Sequence, residues 1–179
     1  NKHTSYGTGY LARTDRDGNF IWAKGISGDS HLFSGYGEGL KTCSDCSFAI
    51  CNWGYETVNS SSFRRLCERI EKVREDGNIE WSLFVKGGVV KALSPVDGDG
   101  LVLSITSESQ TLGLGEINVV YDDFDSTYRN TSGAIVKIND DGEIEWITKT
   151  RNISHADLAL NQGTLFLGGL SASGGSVGE

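Results

Sequence analysis

The chain has no methionine, a single proline and only three histidines among its 179 residues. His3, His31 and His155 stand apart, and none has metal-ligand spacing to another. No stretch approaches the ~20 apolar residues of a membrane-spanning helix. The first residues carry no signal-peptide pattern. A start at Asn1 with no methionine anywhere is expected of a processed chain, or of the ordered part of a longer one. Positive charge is scarce as well: 16 Lys and Arg stand against 24 Asp and Glu, a net charge of −8. Nucleic acid and anionic membrane surfaces need clustered cations, so neither is an expected partner. The acidity fits the solubility of a secreted protein.

What the chain does have is one stretch three times over. Asp17-Gly18-Asn19-Phe20-Ile21-Trp22 returns as Asp76-Gly77-Asn78-Ile79-Glu80-Trp81 and as Asp141-Gly142-Glu143-Ile144-Glu145-Trp146. Asp-Gly predicts a tight primed hairpin turn, because that turn needs positive φ and glycine supplies it without steric cost. A matching strand precedes each turn: Tyr10–Thr14, Arg69–Val73 and Ala134–Ile138. Arg13, Lys72 and Lys137 hold one place in these strands, and Leu11, Ile70 and Ile135 are apolar two positions earlier. Glu68–Glu75 could pass for a helix on its charges, but its alignment with the other copies makes it a strand.

A second apolar pair follows each tryptophan. It reads Leu40–Thr42 and Phe48–Ile50, then Leu93 and Leu101–Leu103, then Leu158–Leu160 and Leu165–Leu167. Four short strands per repeat are the signature of a propeller blade. The expected fold is all-β, one domain over 1–179, with units at about 9–55, 65–106 and 117–170. The tryptophans lie 59 and 65 residues apart, and polar inserts account for the length beyond common blades.

The cysteines Cys43, Cys46, Cys51 and Cys67 lie within 25 residues. Two disulfides are expected, with three connectivities open. Cys43–Cys46 across a turn and Cys51–Cys67 between the first two units are favoured. A redox pair would want a helix N-terminus, and a zinc site would want a second Cys-x-x-Cys. Three Asn-x-Ser/Thr sequons, at Asn59, Asn130 and Asn152, fall outside the expected core strands. Disulfides and N-linked glycans together predict a secreted or cell-surface protein.

The repeat resembles the blades of quinoprotein-like β-propellers, in which a tryptophan follows the turn glycine by four residues. Gly18/Trp22, Gly77/Trp81 and Gly142/Trp146 keep that spacing. Similar Asp-Gly-Asn-x-x-Trp repeats occur in secreted propeller proteins. The resemblance implies that Trp22, Trp81 and Trp146 plug adjacent blades together. Three units fall short of the roughly four to eight that close a ring. An incomplete ring, or one completed by other copies or by blades of a longer parent chain, is expected.

Other chemistry finds weaker footing. The acidic loops Asp97–Asp99, Asp122–Asp125 and Asp140–Gly142 lack the twelve-residue calcium pattern. Gly174–Gly178 matches a nucleophile elbow in form, but no helix is expected after it. Core packing is favoured over sugar stacking for the repeat tryptophans, and Trp53 is the better candidate for an exposed contact. The sequence thus predicts a non-catalytic, cofactor-free structural or adhesive module that builds a surface filament or matrix. The alternatives are a carbohydrate-binding propeller fragment and, more weakly, the non-catalytic part of a secreted enzyme.

Overall fold

A computed structural model of the chain describes residues 9–26, 40–42, 48–57, 64–96, 100–122, 132–161 and 163–178. Among them every regular element is a strand and none is a helix, as the alternating pattern predicts. In chain order they are β1 (Gly9–Thr14), β2 (Phe20–Ile26), β3 (Leu40–Thr42), β4 (Phe48–Thr57) and β5 (Arg64–Val73). Next come β6 (Ile79–Lys86), β7 (Gly88–Pro95), β8 (Leu101–Ser107) and β9 (Thr111–Leu114). The last are β10 (Ile117–Val120), β11 (Gly133–Ile138), β12 (Ile144–Asn161) and β13 (Thr164–Val177).

Three antiparallel sheets result, and none is closed. The first is β1-β2, the second runs β3-β4-β5-β6-β9-β10, and the third runs β7-β8-β11-β12-β13. This corrects the expected unit boundaries. The four strands of 65–106 do not share a sheet, since the chain crosses between sheets at Gly87, where φ is 72°. The second and third sheets each join the last hairpin of one repeat to the first hairpin of the next. Apolar alternation locates strands and hairpins, but it does not say which hairpins pair.

The turns also differ from expectation. Gly18 N–H donates to the Asp15 carbonyl at 3.1 Å, and Asp15 N–H donates to the Asn19 carbonyl at 2.9 Å. Arg74–Asn78 and Asn139–Glu143 repeat both bonds. Only the glycine takes positive φ: 85° at Gly18, 84° at Gly77 and 89° at Gly142. These are therefore three-residue loops closed by a left-handed glycine. A primed two-residue turn would need positive φ at its central non-glycine position too. Beyond each loop the ladder slips by one. Arg13 faces Trp22 while Thr14 faces Phe20, so Ile21 is an extra residue. Glu80 and Glu145 are the extra residues of the other two copies. Such a bulge re-aims the side chains beside it.

The sheets stack in chain order. Leu11 and Val73 join the first to the second, with Trp22 packed against them. Ile70, Val85 and Leu112 of the second meet Leu103, Ile105 and Val136 of the third in the main core. Each of these fully buried side chains contributes about 1.5–3 kcal/mol. On the far face of the third sheet, Ala92, Val102 and Ile135 are covered by Leu158, from the distal part of β12. Leu11 and Ile70, equivalent in sequence, thus each face the next sheet, and their counterpart Ile135 faces the distal part of β12.

Candidate functional site

Two of the repeat tryptophans, Trp22 and Trp81, sit where one layer meets the turn of the next. Trp22 Nε1–H donates to the Glu75 carbonyl at 2.7 Å. Its ring lies on Gly77, where an added Cβ would come within 3.2 Å of it. Trp81 repeats both features: its Nε1–H donates to the Asp140 carbonyl at 2.8 Å, and a Cβ on Gly142 would meet its Cγ at 2.6 Å. The turn glycine therefore serves twice, for its φ and for the flat surface it offers an indole.

The basic residue opposite each tryptophan completes the dock. Arg13 donates to the Glu75 carbonyl at 2.8 Å and to its carboxylate at 2.7 Å. Lys72 bonds the Asp140 carbonyl at 3.4 Å and also its carboxylate. Lys24 adds a bond to the Gly77 carbonyl at 2.9 Å. In both docks the acceptor residue directly precedes Asp-Gly.

Lys72 is buried, with its side chain 4% exposed. Burial works to lower its pKa. The hydrogen bonds and charges of Asp140 and Glu80 outweigh that, and the ammonium titrates above its usual value. The bulge residue Glu80 holds Lys72 at 3.3 Å, and Glu145 holds Lys137 at 2.7 Å. The turns have their own staples. The side-chain and backbone N–H groups of Asn19 hold the Asp15 carboxyl below the usual range, and those of Asn78 do the same for Asp76.

Trp146, the third of the set, is 39% exposed, and among the described residues no Asp-Gly turn covers it. The structure thus brings Trp22 and Trp81 into equivalent joints and leaves Trp146 open.

The other expected residues divide. Asn59, Asn130, Cys43 and Cys46 lie outside the described residues. Cys51, Trp53 and Cys67 have described backbones only. The β4–β5 register sets Cys51 opposite Ile70 and Cys67 opposite Gly54. Two cysteines bridge only when their Cα atoms lie within ~7 Å, and a three-residue offset exceeds that at ~3.4 Å per residue. The Cys51–Cys67 pairing favoured from sequence does not fit this ladder. Asn152 is corrected too. It lies inside β12 rather than outside the strands, at a register shift, with φ of 51°. The loop Asp97–Asp99 and residues 123–125 are outside the described set. The Asp140 carboxylate is engaged by Lys72, and among the described residues no three His, Cys, Asp or Glu side chains group to hold a metal. Ser176 of β13 pairs with Arg151 of β12, without a helix after it among the described residues.

Two signals escaped the sequence reading. Gly87 and Asn152 each stand six residues after a repeat tryptophan, and both take positive φ, Gly87 where the chain crosses between sheets and Asn152 at a register shift inside β12. The acidic residue before Asp-Gly was the other, since its role shows only when two repeats meet.

No protein-family model matches the chain, and no curated protein or solved structure is significantly similar to it.

Proposed function

We propose that this chain is an extracellular, glycosylated, non-catalytic structural module of β-propeller type, whose layers stack with further units to build a surface filament or matrix assembly. One observation carries the reading. The same joint occurs twice, Trp22 on Glu75 and Trp81 on Asp140, through equivalent atoms at 2.7 and 2.8 Å. A contact repeated from one layer to the next is a means of adding layers, and layered repeats are stabilised mainly by nearest-neighbour interfaces. The propeller type is supported by β7, which packs beside both β3 and β12, as inner strands of successive blades would.

Electron microscopy of the protein isolated from its source tests this. Filaments, sheets or rings built from stacked layers are expected. Isolated three-layer particles with no further unit attached would sink the assembly role. Mass spectrometry of the same material should find N-glycan on at least one of Asn59, Asn130 and Asn152.

A further inference from the structure

The third dock is built like the first two. Trp146 sits opposite Lys137, as Trp81 sits opposite Lys72 and Trp22 opposite Arg13. Lys137 holds the bulge carboxylate Glu145, as Lys72 holds Glu80. The β12–β13 hairpin covers one part of this face through Leu158, Leu165 and Leu167. It leaves the indole of Trp146 exposed.

The other end of the stack offers the complementary piece. A Cβ built on Gly18 would meet nothing within 4 Å, whereas at Gly77 and Gly142 it would meet a docked tryptophan. Phe20, beside that open turn, is 68% exposed. Shape alone would join two copies head to tail, a contact of the kind that runs on into fibres unless it closes a ring.

Charge opposes this joint. In both filled docks the residue before Asp-Gly is acidic, and its carboxylate meets the basic residue opposite the tryptophan. In the first turn that residue is Arg16, whose side chain is 93% exposed. Placed under Trp146, Arg16 would bring a guanidinium against Lys137 where a carboxylate belongs. Like charges set together across an interface suppress the wrong partner.

We infer that the Trp146–Lys137 face is a docking site for a hairpin turn reading acidic residue, Asp, Gly, supplied by a further repeat, and that Arg16 keeps this chain's own first turn off it. The inference rests on the docking role proposed above and adds its selectivity. Glu75 and Asp140 of a second copy are already taken by Trp22 and Trp81 of that same copy, so the matching turn must come from another unit.

Exchanging one charge tests the selectivity. Sedimentation velocity of the 179-residue chain should show no association that depends on Trp146. Arg16→Glu should self-associate, with an affinity roughly tenfold or more above the parent. Adding Trp146→Ala to Arg16→Glu should return it to the parent behaviour. Arg16→Glu that sediments like the parent overturns the inference. So does a parent chain whose own association is lost with Trp146→Ala, because a second copy would then be the occupant. A denaturant melt of Trp81→Ala separates the two levels. A melt equal to the parent's would remove the dock itself. A destabilised Trp81→Ala beside an unassociated Arg16→Glu would remove only the charge selection.

Discussion

Trp81 reaches Asp140 across 59 residues of chain, and its indole N–H meets the backbone carbonyl at 2.8 Å. Lys72, directly opposite Trp81 in the ladder, takes the same carbonyl and the carboxylate beside it. One residue thus accepts from an aromatic and a cationic donor at once. The indole also lies against Gly142, so apolar contact adds to these hydrogen bonds.

Trp81→Ala should destabilise the chain by about 2–4 kcal/mol, somewhat less than a wholly buried ring would cost. Trp146→Ala should cost under about 1 kcal/mol, since that ring lies on an exposed face. Equilibrium urea unfolding of both variants decides the matter. Equal costs would mean that the second joint is no stronger than an open surface.

The turn glycines should respond unequally to alanine. Gly18→Ala meets open space and bears only the left-handed backbone penalty, about 1–2 kcal/mol. Gly142→Ala bears that penalty and also drives its Cβ into Trp81. It should lose clearly more stability than Gly18→Ala in paired thermal melts. Similar melting temperatures for the two would argue against close packing at the joint.

Stability should fall at high pH, for two reasons that can be separated. Burial pushes the Tyr121 phenol up, and its hydroxyl donates to the Gly133 carbonyl at 2.6 Å. The unfolded chain ionises this group first, so its contribution is intact below about pH 10 and lost above it. Lys72 also titrates upward in the fold. Its contribution is intact below about pH 10.4 and disappears as pH rises through the folded pKa. Unfolding measured from about pH 8 to about pH 11.5 should show a shallower alkaline decline for Tyr121→Phe and for Lys72→Met. Both variants keeping the full parental slope would refute the assignment.

Asn152 should behave as a backbone hinge. Asn152→Gly keeps the left-handed conformation available and should leave stability nearly unchanged. Asn152→Val has no easy route to φ of 51° and should cost about 1–2 kcal/mol. Both changes remove the sequon, so a glycan effect would be common to the pair and the hinge effect would not.

Peptide mapping of the unreduced protein should find no Cys51–Cys67 cross-link, since the β4–β5 register keeps those positions three apart. Recovery of that linked peptide would mean that the two strands pair differently.

The three Asp-Gly hairpins could be read from sequence because turn chemistry and alternation act over a few residues. The partition into sheets could not. β6 and β7 read as one continuing unit, and only Gly87 in its left-handed conformation separates them. Trp22 and Trp81 were legible as joints from the repeat, whereas the exposure of Trp146 was not, nor the selectivity, because Glu75 and Asp140 look like ordinary turn acids until Arg13 and Lys72 reach them. Asn152 misled for a related reason. A sequon suggests a surface loop, while asparagine's tolerance of positive φ lets it sit at a bulge inside a strand.

Among the described residues, the first layer is held to the second by Leu11, Arg13, Trp22 and Lys24 against Val73, Glu75 and Gly77. The third layer, by contrast, shares a broad apolar core with the second. Opening is therefore graded along the chain. The amides of β1 and β2 should exchange with solvent through local opening, and those of β8 and β11, in the main core, only on global unfolding. A protease should meet the same gradient and cut first in the first layer.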